Sequence, residues 1–464
     1  MKFAKNIDWL SRHRQTFSKI KKVQQKRISN ETGFIMKKTH IVGEKSSAKK
    51  IKSAIKVKNQ TLKHGERENY LCNGSFQEAI APVMVLAQVF GLLPVRGVTS
   101  KSAADLSFSF KNFRTMNSVF VVMCYTTCMG LTYSWALKQQ FKFDTIETII
   151  FYTSIFSISV AFFNLARKWP SVMKQWELVE SKLPPLQSQM EKRKLSHQIK
   201  MITTVTCVLS LIEHILSMLS SIYYANACPA RPDPIESYLQ GNFIQLFSFV
   251  DYNNWLGMFG KYLNVLSTFA WNFTDIFIMT VSVGLSSGFR QLNADLLKMA
   301  RKPTTEAYWI NSRVNYRNLC KLCDKVDDAV SSITLLGFSN NLYFICGKIM
   351  KSIQKKPSFT HTLYFWFSLF YLLGRTLALS LYSADIHDES RRPMLVFRAV
   401  PREYWCKEIK RFAQEVSTDL VALSGMKFFH LTRSLVLSVA GTIVTYELVL
   451  LQFNKEEVIG DCFQ

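Results

Sequence analysis

Seven uninterrupted apolar stretches, each about 20 residues long, set the terms on which this chain can fold. They run Asn117–Leu137, Thr145–Ala166, Met201–Ala225, Leu263–Phe289, Ala329–Met350, Thr362–Ala384 and Leu435–Phe453. At 1.5 Å per residue, a helix of that length crosses the hydrocarbon core of a bilayer. Lipid offers the backbone no hydrogen-bond partners, which leaves helices or a closed barrel as spanning structures. None of the stretches alternates with period two, so the barrel is disfavoured. The overall hydrophobic fraction, 48%, would not distinguish this chain from a soluble one. The clustering does, and it predicts an all-α membrane protein with seven transmembrane helices.

Basic residues orient the chain. Residues 1–76 hold 19 of the 58 Lys and Arg with few acids, and so supply more than half of the net charge of +25. The loops after helices 2, 4 and 6 are also basic, with Arg167, Lys174, Arg290, Lys298, Arg313, Arg317, Arg391 and Arg402 among their cations. Residues 226–262 carry only Arg231 and Lys261. Lys351, Lys355 and Lys356 are the exception to this alternation. The pattern predicts a cytosolic N-terminus and, with an odd helix count, an extracellular C-terminus. No nucleic-acid-binding motif accompanies the basic tail, so nucleic acid is not an expected partner. The first residues lack the apolar core of a signal peptide.

Ser75–Leu93 precedes the first span. Phe76, Ile80, Val83, Leu86, Ala87 and Phe90 recur at helical spacing, Glu78 sits in the first turn and Pro94 follows the run. This predicts an amphipathic or buried helix too short for a first-choice crossing. The ten cysteines are scattered. Cys320 and Cys323 form a lone CxxC without the second pair that zinc requires, so no metal or other cofactor is expected. Cys228 and Cys462 fall on the oxidising side, where a disulfide is compatible with both. The sequons at Asn30, Asn73 and Asn272 lie in the tail or inside a span and should stay unused. No Walker loop, GxSxG or HExxH motif is present, and nothing argues for an enzyme.

Polar residues inside the spans are costly, and they tend to face a cavity, a partner or a pore. Helix 3 carries Glu213 and His214, helix 4 Trp271, Asn272 and Asp275, helix 5 Asn340, Asn341 and Tyr343, and helix 6 Trp366 and Arg375. Most fall roughly 6–20 Å below the outer surface. An outward-facing pocket follows, in which carboxylates and amides accept hydroxyl hydrogen bonds and aromatic rings pack on the C–H face of a sugar. The competing reading is structural: Asp275 and Arg375 pair, and the asparagines join helices. In helix 7, Gly441, Thr445, Leu448 and Gln452 share a face, which suits close helix packing or a water-lined pore, with packing favoured by spacing alone.

Thr445-Tyr-Glu-Leu-Val-Leu-Leu-Gln-Phe453 resembles the TYhhhhhQF signature of insect gustatory receptors, with h hydrophobic and Glu447 the one departure. The TYE variant and Ser75-Phe-Gln-Glu-Ala-Ile-Ala-Pro-Val-Met-Val-Leu-Ala-Gln-Val-Phe-Gly-Leu-Leu-Pro-Val-Arg-Gly97 resemble the sugar-receptor branch. The resemblance spans about Phe76 to Phe453. It implies a sugar-gated, non-selective channel for monovalent and divalent cations, built as a homotetramer or as a heterotetramer with related receptors. Its place would be the plasma membrane, in dendrites of gustatory neurons. It further implies a tastant site in the outer half of the bundle, where the polar and aromatic residues read above supply the ligand candidates Glu213, His214, Trp271, Asp275, Asn340, Asn341, Tyr343 and Trp366. Gln452 and Phe453 would form the outer pore constriction, with Thr445, Tyr446 and Leu448 beside them on the pore helix.

The expected layout is a basic tail over 1–75, a helical bundle over 76–384, a cytosolic anchor over 385–430, the pore helix over 431–453 and an outer tail over 454–464. In the anchor, Ile409, Phe412, Val416, Leu420 and Leu423 share an apolar face after Pro401, while Lys407, Lys410, Arg411 and Glu415 avoid it. A helix lying on the membrane surface is the alternative there. A G-protein-coupled receptor would place the N-terminus outside, and the DRY and NPxxY motifs are absent. A small-solute transporter would show an internal repeat, and none is seen.

Overall fold

The computed structural model describes residues 74–139, 143–185, 189–227, 233–352, 356, 358–435, 437–439, 441 and 445. The tail before residue 74, Cys228, Cys462, Tyr446, Leu448, Gln452, Phe453 and residues 454–464 lie outside them. The described elements are helical throughout, with isolated β-bridges at Arg96–Ser107 and Ser424–His430. In chain order they are α1 Phe76–Val89, α2 Phe113–Ala136, α3 Phe143–Glu180, α4 Gln189–Ala227, α5 Pro234–Asn242, α6 Ile244–Phe247, α7 Asn254–Met299, α8 Glu306–Ser352, α9 Phe359–Arg391, α10 Pro393–Ala399 and α11 Lys407–Thr418.

Six of these, α2, α3, α4, α7, α8 and the helix beginning with α9, are long and apolar enough to cross a membrane. They contain the first six predicted spans. The seventh lies mostly outside the described residues. Within it, Thr445 Oγ1 donates to the Gly441 carbonyl at 2.9 Å, one helical turn back.

Every residue of α7 from Asn272 to Ser286 is buried. A helix buried all round belongs at the centre of a bundle, and α3, α4, α8 and α9 all pack on it. The long helices also overrun the apolar stretches: α7 has 46 residues and α8 has 47. The C-terminal end of α7 and the N-terminal end of α8 continue as a polar-faced bundle. There Arg313 pairs with Glu408 and Glu415, both at 2.9 Å, and Arg317 pairs with Glu415 at 2.6 Å. α11 seats Ile409, Phe412 and Val416 against this base, with Phe412 5.4 Å from the Tyr316 ring and 4.8 Å from Phe397. It packs on α8, α9 and α10. The predicted apolar face stops short, because α11 ends at Thr418 and leaves Leu420 51% exposed.

α1 is a buried helix. Ser75 caps it by accepting from the Glu78 amide, and Phe76, Ala79, Ile80, Val83, Met84 and Ala87 are all buried. Phe76 stacks on Trp176 with ring centroids 3.9 Å apart. Gly284 makes room for this pair, since a Cβ there would stand 2.4 Å from the Phe76 ring.

Candidate functional site

The intramembrane polar residues of α7, α8 and α9 converge on one network. Asp275 and Arg375 pair at 2.7 Å with side-chain exposures of 0% and 3%. Asn341 donates from Nδ2 to the same Asp275 oxygen at 2.9 Å. Its Oδ1 accepts from Arg375 at 3.1 Å and from the Trp271 indole at 3.1 Å. Arg375 also donates to Asn272 Oδ1, which accepts from the Tyr371 hydroxyl at 2.8 Å. The guanidinium lies over the rings of Trp271 and Tyr371, 5.2 and 5.3 Å from their centroids. A buried ion pair is held only when further hydrogen bonds support it, and Asn341 and Asn272 do so here, with Tyr371 fixing Asn272 in turn.

Helix periodicity explains the convergence. Trp271, Asn272 and Asp275 occupy one turn of α7, and Asn341 faces them from α8. Gly337, one turn before Asn341, lets α8 approach: a Cβ there would meet the Thr274 methyl at 3.0 Å and Asp275 Oδ1 at 3.5 Å. Phe344 packs on Trp271 at 4.7 Å, and Phe151 meets it edge-on at 6.4 Å, so aromatic rings wall the network on one side.

Not every polar group in this region has a partner. Asp275 Oδ1, both amide atoms of Asn340, the Tyr343 hydroxyl and His214 Nε2 are buried without a hydrogen bond among the described residues. Such orphans are costly in a dry site and are the groups a polar ligand or water would satisfy. On α4, Glu213 accepts from Ser368 of α9.

Of the sequence-predicted ligand residues, Trp271, Asp275 and Asn341 belong to the network. Glu213, His214, Asn340 and Tyr343 do not hydrogen-bond to it. Trp366 is placed elsewhere. It is 42% exposed, stacks on Phe370, and stands nine residues from Arg375, on the opposite side of a helix that turns about 100° per residue. Sequence reading missed Tyr371 and Ser368, which precede Arg375 by four and seven residues and therefore share its face.

A second polar cluster ties the segment before the last helix to α8. Asp327 accepts from the Ser424 amide at 2.6 Å and its hydroxyl at 2.8 Å, and pairs with Lys427. The hydrogen bond donated to Asp327 holds the Lys427 ammonium above its usual range. The CxxC cysteines Cys320 and Cys323 are free thiols, and no group of metal ligands occurs among the described residues.

The sequence matches the trehalose receptor family over residues 44–462. It is 48% identical to the Drosophila melanogaster gustatory receptor for sugar taste 64f, over 87% of this chain and 86% of that protein. It is 41% identical to the Drosophila melanogaster gustatory receptor 5a for trehalose, over 89% and 93%. The fold is similar to that of the insect olfactory receptor OR5 from Machilis hrabei, with a TM-score of 0.61 at 15% identity over 81% of this chain and 98% of that one. These similarities agree with the six long apolar helices around a buried α7, and the chain is a multi-pass membrane protein of the insect gustatory receptor family.

Proposed function

We propose that this chain is a sugar receptor of the plasma membrane of gustatory neurons, acting as a sugar-gated cation channel. Its N-terminus is cytosolic and its C-terminus extracellular. Four subunits, identical or mixed with related receptors, surround a pore lined by the last helix. Gln452 and Phe453 form its outer constriction, beside Thr445, Tyr446 and Leu448. Monovalent and divalent cations pass through it.

The observation that carries this reading is the unpartnered Asp275 Oδ1, in a network whose Trp271 packs on Phe344; the Asn340 amide and the Tyr343 hydroxyl are further unpartnered groups on α8. A sugar supplies hydroxyls that donate and accept, and a C–H face that packs on indole or phenyl rings. Relatives named for sugar taste and for trehalose support that ligand class. Glu213 and His214 complete the pocket from α4, and Asn341 orients Asp275 for the ligand. Trp366, on the far face of α9, is left out. Binding opens the pore only if the sugar contacts the open arrangement better than the closed one.

Patch recording from cells expressing the chain alone, against a sugar panel that includes trehalose, tests the channel. G-protein-free patches separate it from a G-protein-coupled receptor, and ligand flux without conductance would point to a transporter. Asn340→Leu tests the pocket. Losing a hydrogen bond of about 0.5–1.5 kcal/mol should weaken the half-maximal sugar response by about 2- to 10-fold, with surface protein retained. An unchanged dose–response curve would mark Asn340 as a structural orphan.

A further inference from the structure

An open cavity of about 840 Å³ lies against the half of α3 that follows Ala166, apart from the polar network. Arg167, Lys174 and Leu178 line it at i, i+7 and i+11 on α3, one helix face that begins where the apolar stretch ends. Lys325 reaches in from α8 and donates to the Ser171 carbonyl at 3.0 Å. Pro170, Ser171 and Gln175 also line it, and Phe108 and Phe110 add an aromatic wall: they stand edge to face at 5.0 Å, with Phe163 behind Phe108 at 5.7 Å. The lining holds three cations and no carboxylate. Phe110 and Leu178 are 63% and 50% exposed.

Three like charges around one opening repel unless an anion sits among them. A free inorganic anion would answer the cations and leave the exposed apolar wall uncovered. A phospholipid answers both, with an anionic head for the cations and acyl carbons for the rings. We propose that this cavity binds the head of an anionic phospholipid. Its phosphate lies between Arg167 and Lys174 with Lys325 alongside, and its first acyl carbons rest on Phe108 and Phe110, which pack against Phe163 inside the apolar stretch. The reading uses the charge-derived orientation, which puts the end of α3 after Ala166 at the cytosolic leaflet, where anionic lipids concentrate. It does not depend on sugar gating.

Native mass spectrometry of the purified full-length protein, mixed with phosphatidylserine or phosphatidylcholine, tests this. Wild type should retain phosphatidylserine about tenfold better, and Arg167→Gln with Lys174→Gln should abolish that preference. Arg167→Lys with Lys174→Arg should keep it. So should Lys298→Gln with Arg301→Gln, which removes the same charge at exposed positions outside the cavity. Glycerophosphoserine, the head without acyl chains, should not compete at equal concentration. Equal retention of the two lipids by wild type overturns the proposal even if the first variant is not recovered. Equal loss in both charge-removing variants, or full competition by glycerophosphoserine, also overturns it.

Discussion

Asp275 of α7 and Arg375 of α9 form a 2.7 Å ion pair whose side chains are almost completely withdrawn from solvent, in the middle of two membrane-crossing helices. Both charges are committed to each other before any ligand arrives. What remains open is the second carboxylate oxygen, Oδ1, which has no protein partner among the described residues. The pair therefore holds the network together and leaves one buried acceptor unmet.

Removing Asp275 alone should cost more than binding. Asp275→Ala leaves Arg375 charged and uncompensated, at about 3–5 kcal/mol. Surface biotinylation should show the receptor lost from the cell surface. Asp275→Leu with Arg375→Met should restore much of it, since an apolar pair of similar volume replaces buried ions at little cost. Normal surface levels of Asp275→Ala with only a shifted sugar response would show that the pair is dispensable for folding.

Gly284 is a packing requirement. A Cβ there meets Phe76 ring carbons at 2.4 and 2.5 Å and Trp176 at 2.9 Å. Gly284→Ala should destabilise the purified protein by about 1–3 kcal/mol through overpacking. Gly374→Ala, where a Cβ meets nothing within 4 Å, should be neutral or stabilising. A thermal melt followed by size-exclusion fluorescence compares the two, and equal melting temperatures would refute the packing argument.

The base formed by α8 and α11 should weaken in acid. Burial opposes ionisation of Glu408, but the hydrogen bond from Arg411 and the nearby charge of Arg313 outweigh it and hold the carboxyl below its ordinary value of 4.5. A depressed carboxylate stabilises the fold above its unfolded pKa, and that contribution is lost as pH falls through the folded one. Melting temperature should therefore drop below about pH 4.5 in wild type and fall less steeply in Glu408→Gln, which starts lower at neutral pH. Parallel pH profiles would show that Glu408 contributes nothing to the acid limb.

Four copies of Phe453 near the outer pore mouth would form an apolar constriction that dewets when narrow. Phe453→Ala should then raise current in the absence of sugar. Gln452→Ala should change gating or ion preference while direct sugar binding survives. Wild-type leak, selectivity and activation in both would return this segment to a helix-packing role.

The crossing helices were legible because a membrane demands long apolar runs. Their true length was not, since Arg313 and Arg317 read in sequence only as orientation signals. Their partners, Glu408 and Glu415, lie almost a hundred residues later and share no periodicity with them. Leu420 followed the apolar rhythm of its helix, but that helix had already ended at Thr418. In the candidate site, the depth of Asp275 and Arg375 already raised their pairing. Helix phase alone would have set Trp366 apart from Arg375 and joined Tyr371 and Ser368 to it.

The burial of α1 has a consequence for how the protein is made. Phe76 is covered by Trp176 and packs under Gly284, both synthesised long after it. At about 5–20 residues per second, the roughly 200 residues from Phe76 to Gly284 take about 10–40 s to emerge. For that time the part of its groove that Gly284 supplies is missing, although Trp176 and α4 have already been made, so the packing of Phe76 is completed only once α7 is in place. The groove around α1 is therefore finished by a helix made about 200 residues after it, against the order of synthesis.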